Sequence, residues 1–137
     1  MNTFKIAVAD DHAIMRSLLR QTLALSNDME VIADVCDGIM LLDLLEHLPV
    51  LPDMVILDVS MPMLPGPEVA RHIRELFPRI KILMFSMHTE MEYVSQSFMA
   101  GADGYLLKEE GAEELFAAIK VIRQGQRYKS PRLESPN

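Results

Sequence analysis

The feature that most constrains this sequence is its rhythm. Short apolar runs at Lys5–Ala9, Glu30–Val35, Met54–Leu57, Ile80–Phe85 and Gly104–Leu107 begin about every 25 residues. The stretches between them repeat apolar residues at helical spacing. Ile14, Leu18, Leu19, Leu23 and Leu25 mark a first helix, and Ile39, Leu41, Leu42, Leu45 and Leu48 a second. Val69, Ile73, Leu76 and Phe77 mark a third, opened through Pro67 and closed before Pro78. Tyr93, Val94, Ser97, Phe98 and Ala100 mark a fourth that Gly101 stops, and Leu115, Phe116, Ile119 and Ile122 a fifth that Gly125 stops. Strands that alternate with helices pair in parallel and carry the helices on both faces of the sheet. The runs VILD and KILMFS lack polar alternation, as strands covered on both sides should. The expectation is an α/β fold, a doubly wound five-stranded parallel sheet with five helices.

That architecture says where to look for chemistry. Ligands of open parallel sheets bind outside the carboxyl ends of the strands. In "AVADDH" the first strand ends in two adjacent carboxylates, Asp10 and Asp11. The third ends in Asp58, the fourth in Ser86, and the fifth runs into Lys108. Three carboxylates at one edge repel and raise each other's pKa. A hard divalent cation relieves that repulsion, and Mg²⁺ takes a few carboxylate oxygens and the rest from water or phosphate. Lys108 and Ser86 add a positive charge and a donor, which suit a phosphoryl group.

Composition excludes other classes. Half of the 137 residues are apolar, enough for one globular domain. The formal charge of −7 argues against nucleic-acid binding by this segment itself, since phosphate contacts need clustered Lys and Arg. Cys36 is the only cysteine, which fits a reducing cytosol, and it reads as a small buried hydrophobe at a strand end. No signal peptide and no long apolar run is present, so a cytoplasmic protein with no membrane contact is expected. His12, His47, His72 and His88 have no metal-ligand spacing among themselves and read as solvated or packed side chains. No glycine-rich nucleotide-binding motif occurs.

The stretches "VADDH", "DMVILDVSMPMLPG", "ILMFSMH" and "AGADGYLLKEE" together resemble the receiver domain of two-component response regulators, over Phe4 to about Gln124. "DDH", "GADGYLLK" and "GQRYKSPRL" are most similar to receivers that precede a LuxR/NarL-type helix-turn-helix. The resemblance implies a flavodoxin-like fold of strand order 2-1-3-4-5. It implies that Asp58 is the phosphoacceptor, phosphorylated by a histidine kinase. It further implies that Asp10, Asp11, Asp58 and the Ser60 carbonyl hold Mg²⁺ or Mn²⁺. Ser86 is then the switch hydroxyl, Lys108 the phosphoryl-binding lysine, and Tyr105 the aromatic that moves with Ser86. Such a domain modifies and resets itself, without being a turnover enzyme. Phosphorylation would favour a homodimer, and DNA would be met only through a further C-terminal domain.

Three positions depart from the usual receiver pattern. Glu109 replaces the proline that commonly follows the lysine after a cis bond, which leaves the geometry of that peptide open. Met87 is larger than the usual neighbour of the switch hydroxyl and could narrow access to the site. Pro65 stands where a turn-forming polar residue is more usual and stiffens the turn. A haloacid-dehalogenase-type phosphatase would need a second Asp two residues after the nucleophile, where Ser60 stands. Residues 1–125 are expected to form the receiver and 126–137 to begin a linker toward an effector domain. The alternative is a stand-alone receiver that works by binding a protein partner.

Overall fold

Strand and helix alternate through the chain as their apolar periods require. The computed structural model describes residues 3–134. The elements are β1 (Phe4–Ala9), α1 (Ala13–Leu23), β2 (Met29–Val35), α2 (Gly38–His47), β3 (Met54–Asp58), α3 (Gly66–Leu76), β4 (Lys81–Ser86), α4 (Met91–Met99), β5 (Gly104–Leu107), α5 (Ala112–Arg123) and β6 (Tyr128–Lys129), followed by a 3₁₀ turn over Pro131–Glu134. All strand pairs are parallel, and their order is β2-β1-β3-β4-β5-β6.

The pleat of the central strands divides the core in two. Ala7, Val55, Leu57, Ile82, Met84 and Tyr105 face one side, where Leu41 of α2, Ile73 of α3 and Val94 of α4 cover them. Ile6, Val8, Ile56, Leu83 and Leu106 face the other, under Leu23 of α1 and Ile119 of α5. Every residue of β3 is buried, as the unbroken apolar run VILD requires. Asp37 caps α2 by accepting from the Met40 amide at 2.8 Å. Gly101 and Gly125 stop α4 and α5 with positive φ.

Three expectations need correction. The sheet has six strands, because Tyr128–Lys129 pairs with β5 inside the stretch read as linker. Residues 135–137 of that stretch lie outside the described residues. Ile14 is 85 % exposed and Leu25 is exposed beyond the end of α1, so that helix buries only Leu19 and Leu23. Cys36 is exposed, with its thiol 3.6 Å from the Met40 sulfur. The peptide after Lys108, left open by the sequence, is trans, as no cis peptide occurs among the described residues.

Candidate functional site

Because the sheet is parallel, the carboxyl ends of β1, β3, β4 and β5 open on one edge, and the strand-end side chains meet there. Asp10 leaves β1 with its amide on the Val35 carbonyl of β2 at 3.1 Å. Asp58 is the last residue of β3. Both are nearly inaccessible, at 1 % and 4 % exposure. Lys108 follows β5 and sends its Nζ to 2.8 Å from Asp10 Oδ2 and 3.4 Å from Asp58 Oδ2.

The carboxylates are only partly satisfied. Asp10 Oδ1 accepts from the His12 amide at 2.9 Å, and Asp58 Oδ1 from the Ser60 amide at 3.2 Å. The Oδ2 atoms of both are buried and lack a well-aligned hydrogen bond, and the Lys108 ammonium is the cation beside them. Burial, and then the neighbouring Asp10 charge, push the Asp58 carboxyl up to about 6, against the pull of Lys108 and the Ser60 amide.

Asp11 sits more openly, and His12 bridges the acidic pair, its Nδ1 3.2 Å from an oxygen of each. Ligand atoms of Asp10, Asp11, His12 and Asp58 all lie within 4.8 Å of one another. Two orphaned buried oxygens and three carboxylates in this space fit a hard divalent cation, which takes oxygen ligands.

The loop after β3 is drawn tight beneath Asp58. The Gly66 amide donates to the Val59 carbonyl at 2.9 Å. A Cβ at Gly66 would stand 2.3 Å from the Asp58 carbonyl oxygen, so only glycine lets α3 start this close to the strand end. Pro65 stands at the N-cap without a side-chain hydrogen bond, and Met63 takes φ 75°, a strained value for a residue with a Cβ.

Ser86 is fully buried, and its Oγ accepts from the His88 amide at 2.9 Å. The Tyr105 ring lies inside, with no exposure, and its hydroxyl donates to the His88 carbonyl at 2.9 Å. Burial raises the Tyr105 pKa. Met87, expected to crowd the site, is exposed to solvent.

Two neighbours were not assigned to the site from the sequence. The His88 ring stacks on Tyr93 at 4.1 Å and places Nε2 2.8 Å from the Ser60 hydroxyl. It thereby joins the β4–α4 loop to the β3–α3 loop. The signal was present: Ser60 and His88 each lie two residues past the end of adjacent parallel strands. Arg16 of α1 donates to the Asp10 carbonyl at 2.7 Å and pairs with Asp34 at 3.4 Å, fixing the turn that carries the acids.

A parallel sheet of this order, with its charged groups gathered where the strand order reverses, defines a doubly wound α/β domain of the flavodoxin-like class. No described helix is long and apolar enough to cross a membrane. Residues 6–120 match the Response regulator receiver domain, and the chain belongs to that family. It is 36 % identical over 132 residues to the transcriptional regulatory protein DegU of Brevibacillus brevis, covering 96 % of this chain and 55 % of that protein. It is 40 % identical over 128 residues to the oxygen regulatory protein NreC of Staphylococcus epidermidis ATCC 12228, covering 90 % and 56 %. The crystal structure of a LuxR-family two-component response regulator from Aurantimonas sp. SI85-9A1 superposes with a TM-score of 0.89 at 33 % identity, covering 96 % of this chain and 93 % of that one. The chain thus spans little more than half the length of the curated relatives it matches.

Proposed function

We propose that Asp58 accepts a phosphoryl group from a histidine kinase, and that the resulting aspartyl phosphate switches the domain. The observation that carries this reading is the Asp58 Oδ2 atom, buried, without a well-aligned hydrogen bond, and facing Lys108. That oxygen attacks phosphorus in line. The P–N bond of a phosphohistidine breaks, its electron pair returns to the imidazole, and a P–O bond forms on Asp58. Phosphoryl transfer has a loose transition state, so charge placement does most of the work. Lys108 lies where it can neutralise the oxygens of the incoming group. Ser86 accepts from the His88 amide and so keeps its own proton for a phosphoryl oxygen.

Asp10, Asp11, Asp58 and the Ser60 carbonyl are the residues that would hold Mg²⁺ or Mn²⁺, which when bound offsets the negative charge of the carboxylates and the phosphoryl group. The domain changes itself once per signal and resets by hydrolysis of the acyl phosphate, so it is a switch and not a turnover enzyme. Phosphorylation favours a homodimer, and the receiver of residues 1–125 controls an output domain beyond this chain. The similarity to the transcriptional regulatory protein DegU supports a transcription regulator as the output; the reading places it in the cytoplasm, with the DNA contacts carried by that second domain.

Incubation with acetyl phosphate and Mg²⁺, followed by intact mass measurement, tests the reading. One phosphoryl group adds to the wild type, and none adds in EDTA or to Asp58→Asn. Absence of the adduct from the wild type would overturn the proposal.

A further inference from the structure

β5 is only four residues long, yet it carries the site's aromatic and leads into its lysine. On one side it pairs with β4, Ser86 opposite Leu107, and the Lys108 amide donates to the Ser86 carbonyl at 2.8 Å. The other side is covered by β6, with Gly104 opposite Tyr128 and Tyr105 opposite Lys129.

The pairing continues past β6 in an unusual way. The Ser130 amide donates to the Tyr105 carbonyl at 3.0 Å, and the Leu107 amide donates to the Ser130 hydroxyl at 2.8 Å. A side-chain oxygen thus takes the place of the next backbone carbonyl. Ser130 has no exposure at all. Covering an edge strand explains β6 but not this buried hydroxyl. An apolar side chain would fill the space while leaving the Leu107 amide without a partner, which a buried backbone group does not tolerate. The segment is fastened along its length as well. The Tyr128 hydroxyl bonds Glu114, Arg127 lies 4.9 Å over the Phe98 ring, Arg132 pairs with Glu109, and Leu133 packs on the cluster that holds Tyr105 and Leu107.

We propose that Ser130 is a positioning residue that couples the phosphoryl site to the segment beyond α5. The residue it holds, Leu107, is joined by one peptide bond to Lys108, which the two buried carboxylates share. A dianionic phosphoryl group holds Lys108 more firmly than those carboxylates do. That fixes the end of β5 and, through Ser130, residues 128–133. The signal leaves the domain along its own chain. The inference rests on the reading of Asp58 as phosphoacceptor.

Coupling is reciprocal, so the factor by which the phosphoryl state tightens the segment is the factor by which loosening the segment weakens that state. The test uses beryllofluoride with Mg²⁺ as the phosphoryl mimic. In the wild type, the Leu107 and Ser130 amides exchange about tenfold more slowly once the mimic is bound. In Ser130→Ala that response is lost, and the affinity for the mimic, read by fluorine NMR titration, falls by the same factor. A merely structural serine would loosen the segment and leave the affinity unchanged, which overturns the proposal. Equal exchange with and without bound mimic in the wild type also overturns it, and this arm needs no variant. Failure of the wild type to bind the mimic would instead remove the reading of Asp58, and the inference with it.

Discussion

At the scale of single residues the site is a shortage of positive charge. Asp10 and Asp58 are both buried, and one ammonium serves them. The Asp58 carboxyl rises from its ordinary 3.8 to about 6, chiefly through burial. Between those pH values the folded chain binds more protons than the unfolded one, so stability falls as pH rises through the window. The contribution of Asp58 is fully present below the lower value and lost above the upper one. Asn has the same size and no charge, so metal-free Asp58→Asn is expected to exceed the wild type at pH 7 by about 1–2 kcal/mol and to match it near pH 4. Urea unfolding in EDTA at both pH values measures this, and equal stabilities at pH 7 would contradict the account of the site's electrostatics. Asp11 has the opposite character. It is partly exposed, and its Oδ1 lies 3.2 Å from the His12 ring. Asp11→Ala leaves the fold intact and abolishes Mg²⁺ binding in a titration, because a site of this kind has few protein ligands to spare. Unchanged Mg²⁺ affinity would remove Asp11 from the ligand set.

At the scale of elements, the loops do the positioning. Gly66 lets the start of α3 close on the end of β3, and a Cβ there would meet the Asp58 carbonyl at 2.3 Å and the Val59 Cα at 2.8 Å. Both contacts are with backbone, which cannot swing aside. Gly66→Ala is therefore expected to cost about 1–3 kcal/mol in urea unfolding and to slow phosphorylation as well, since the displaced atoms carry Asp58. A variant as stable as the wild type would mean that the loop yields without strain. The central strands were legible in the sequence because burial on both faces removes polar alternation, and VILD and KILMFS are short runs without it, polar only at their ends. Ile14 misled for a physical reason. Helical spacing marks a stripe but not its width, and the stripe that α1 buries takes in Leu19 and Leu23, with Met15 packed half-buried beside them. β6 was not legible at all, because two residues carry no period, and a neighbouring strand edge, not local sequence, makes Tyr128–Lys129 extended.

At the scale of the whole molecule, one topological rule made the site readable. Parallel strands send their carboxyl ends to one edge, so Asp10, Asp58, Ser86 and Lys108 could be gathered before any distance was known. What the rule cannot give is the contact of strand-end loops with one another and with the helices, and the His88–Ser60 bond, the stack on Tyr93 and the grip of Arg16 on Asp10 all belong to that class. These contacts matter for output. Ser86 and Tyr105 both bond the backbone of His88, so a pull on Ser86 reaches the β4–α4 loop through one residue. Ser86→Ala is expected to bind beryllofluoride yet to self-associate less in response than the wild type, as sedimentation would show. Equal responses would place the switch elsewhere in the site. All of this depends on which atom takes the phosphoryl group, and its location can be read directly. After reaction with acetyl phosphate and Mg²⁺, borohydride reduction converts an aspartyl phosphate to homoserine, and peptide mass mapping finds the position. The account predicts homoserine at residue 58 and nowhere else. Homoserine at Asp10, Asp11 or any other aspartate, with Asp58 unmodified, would contradict it.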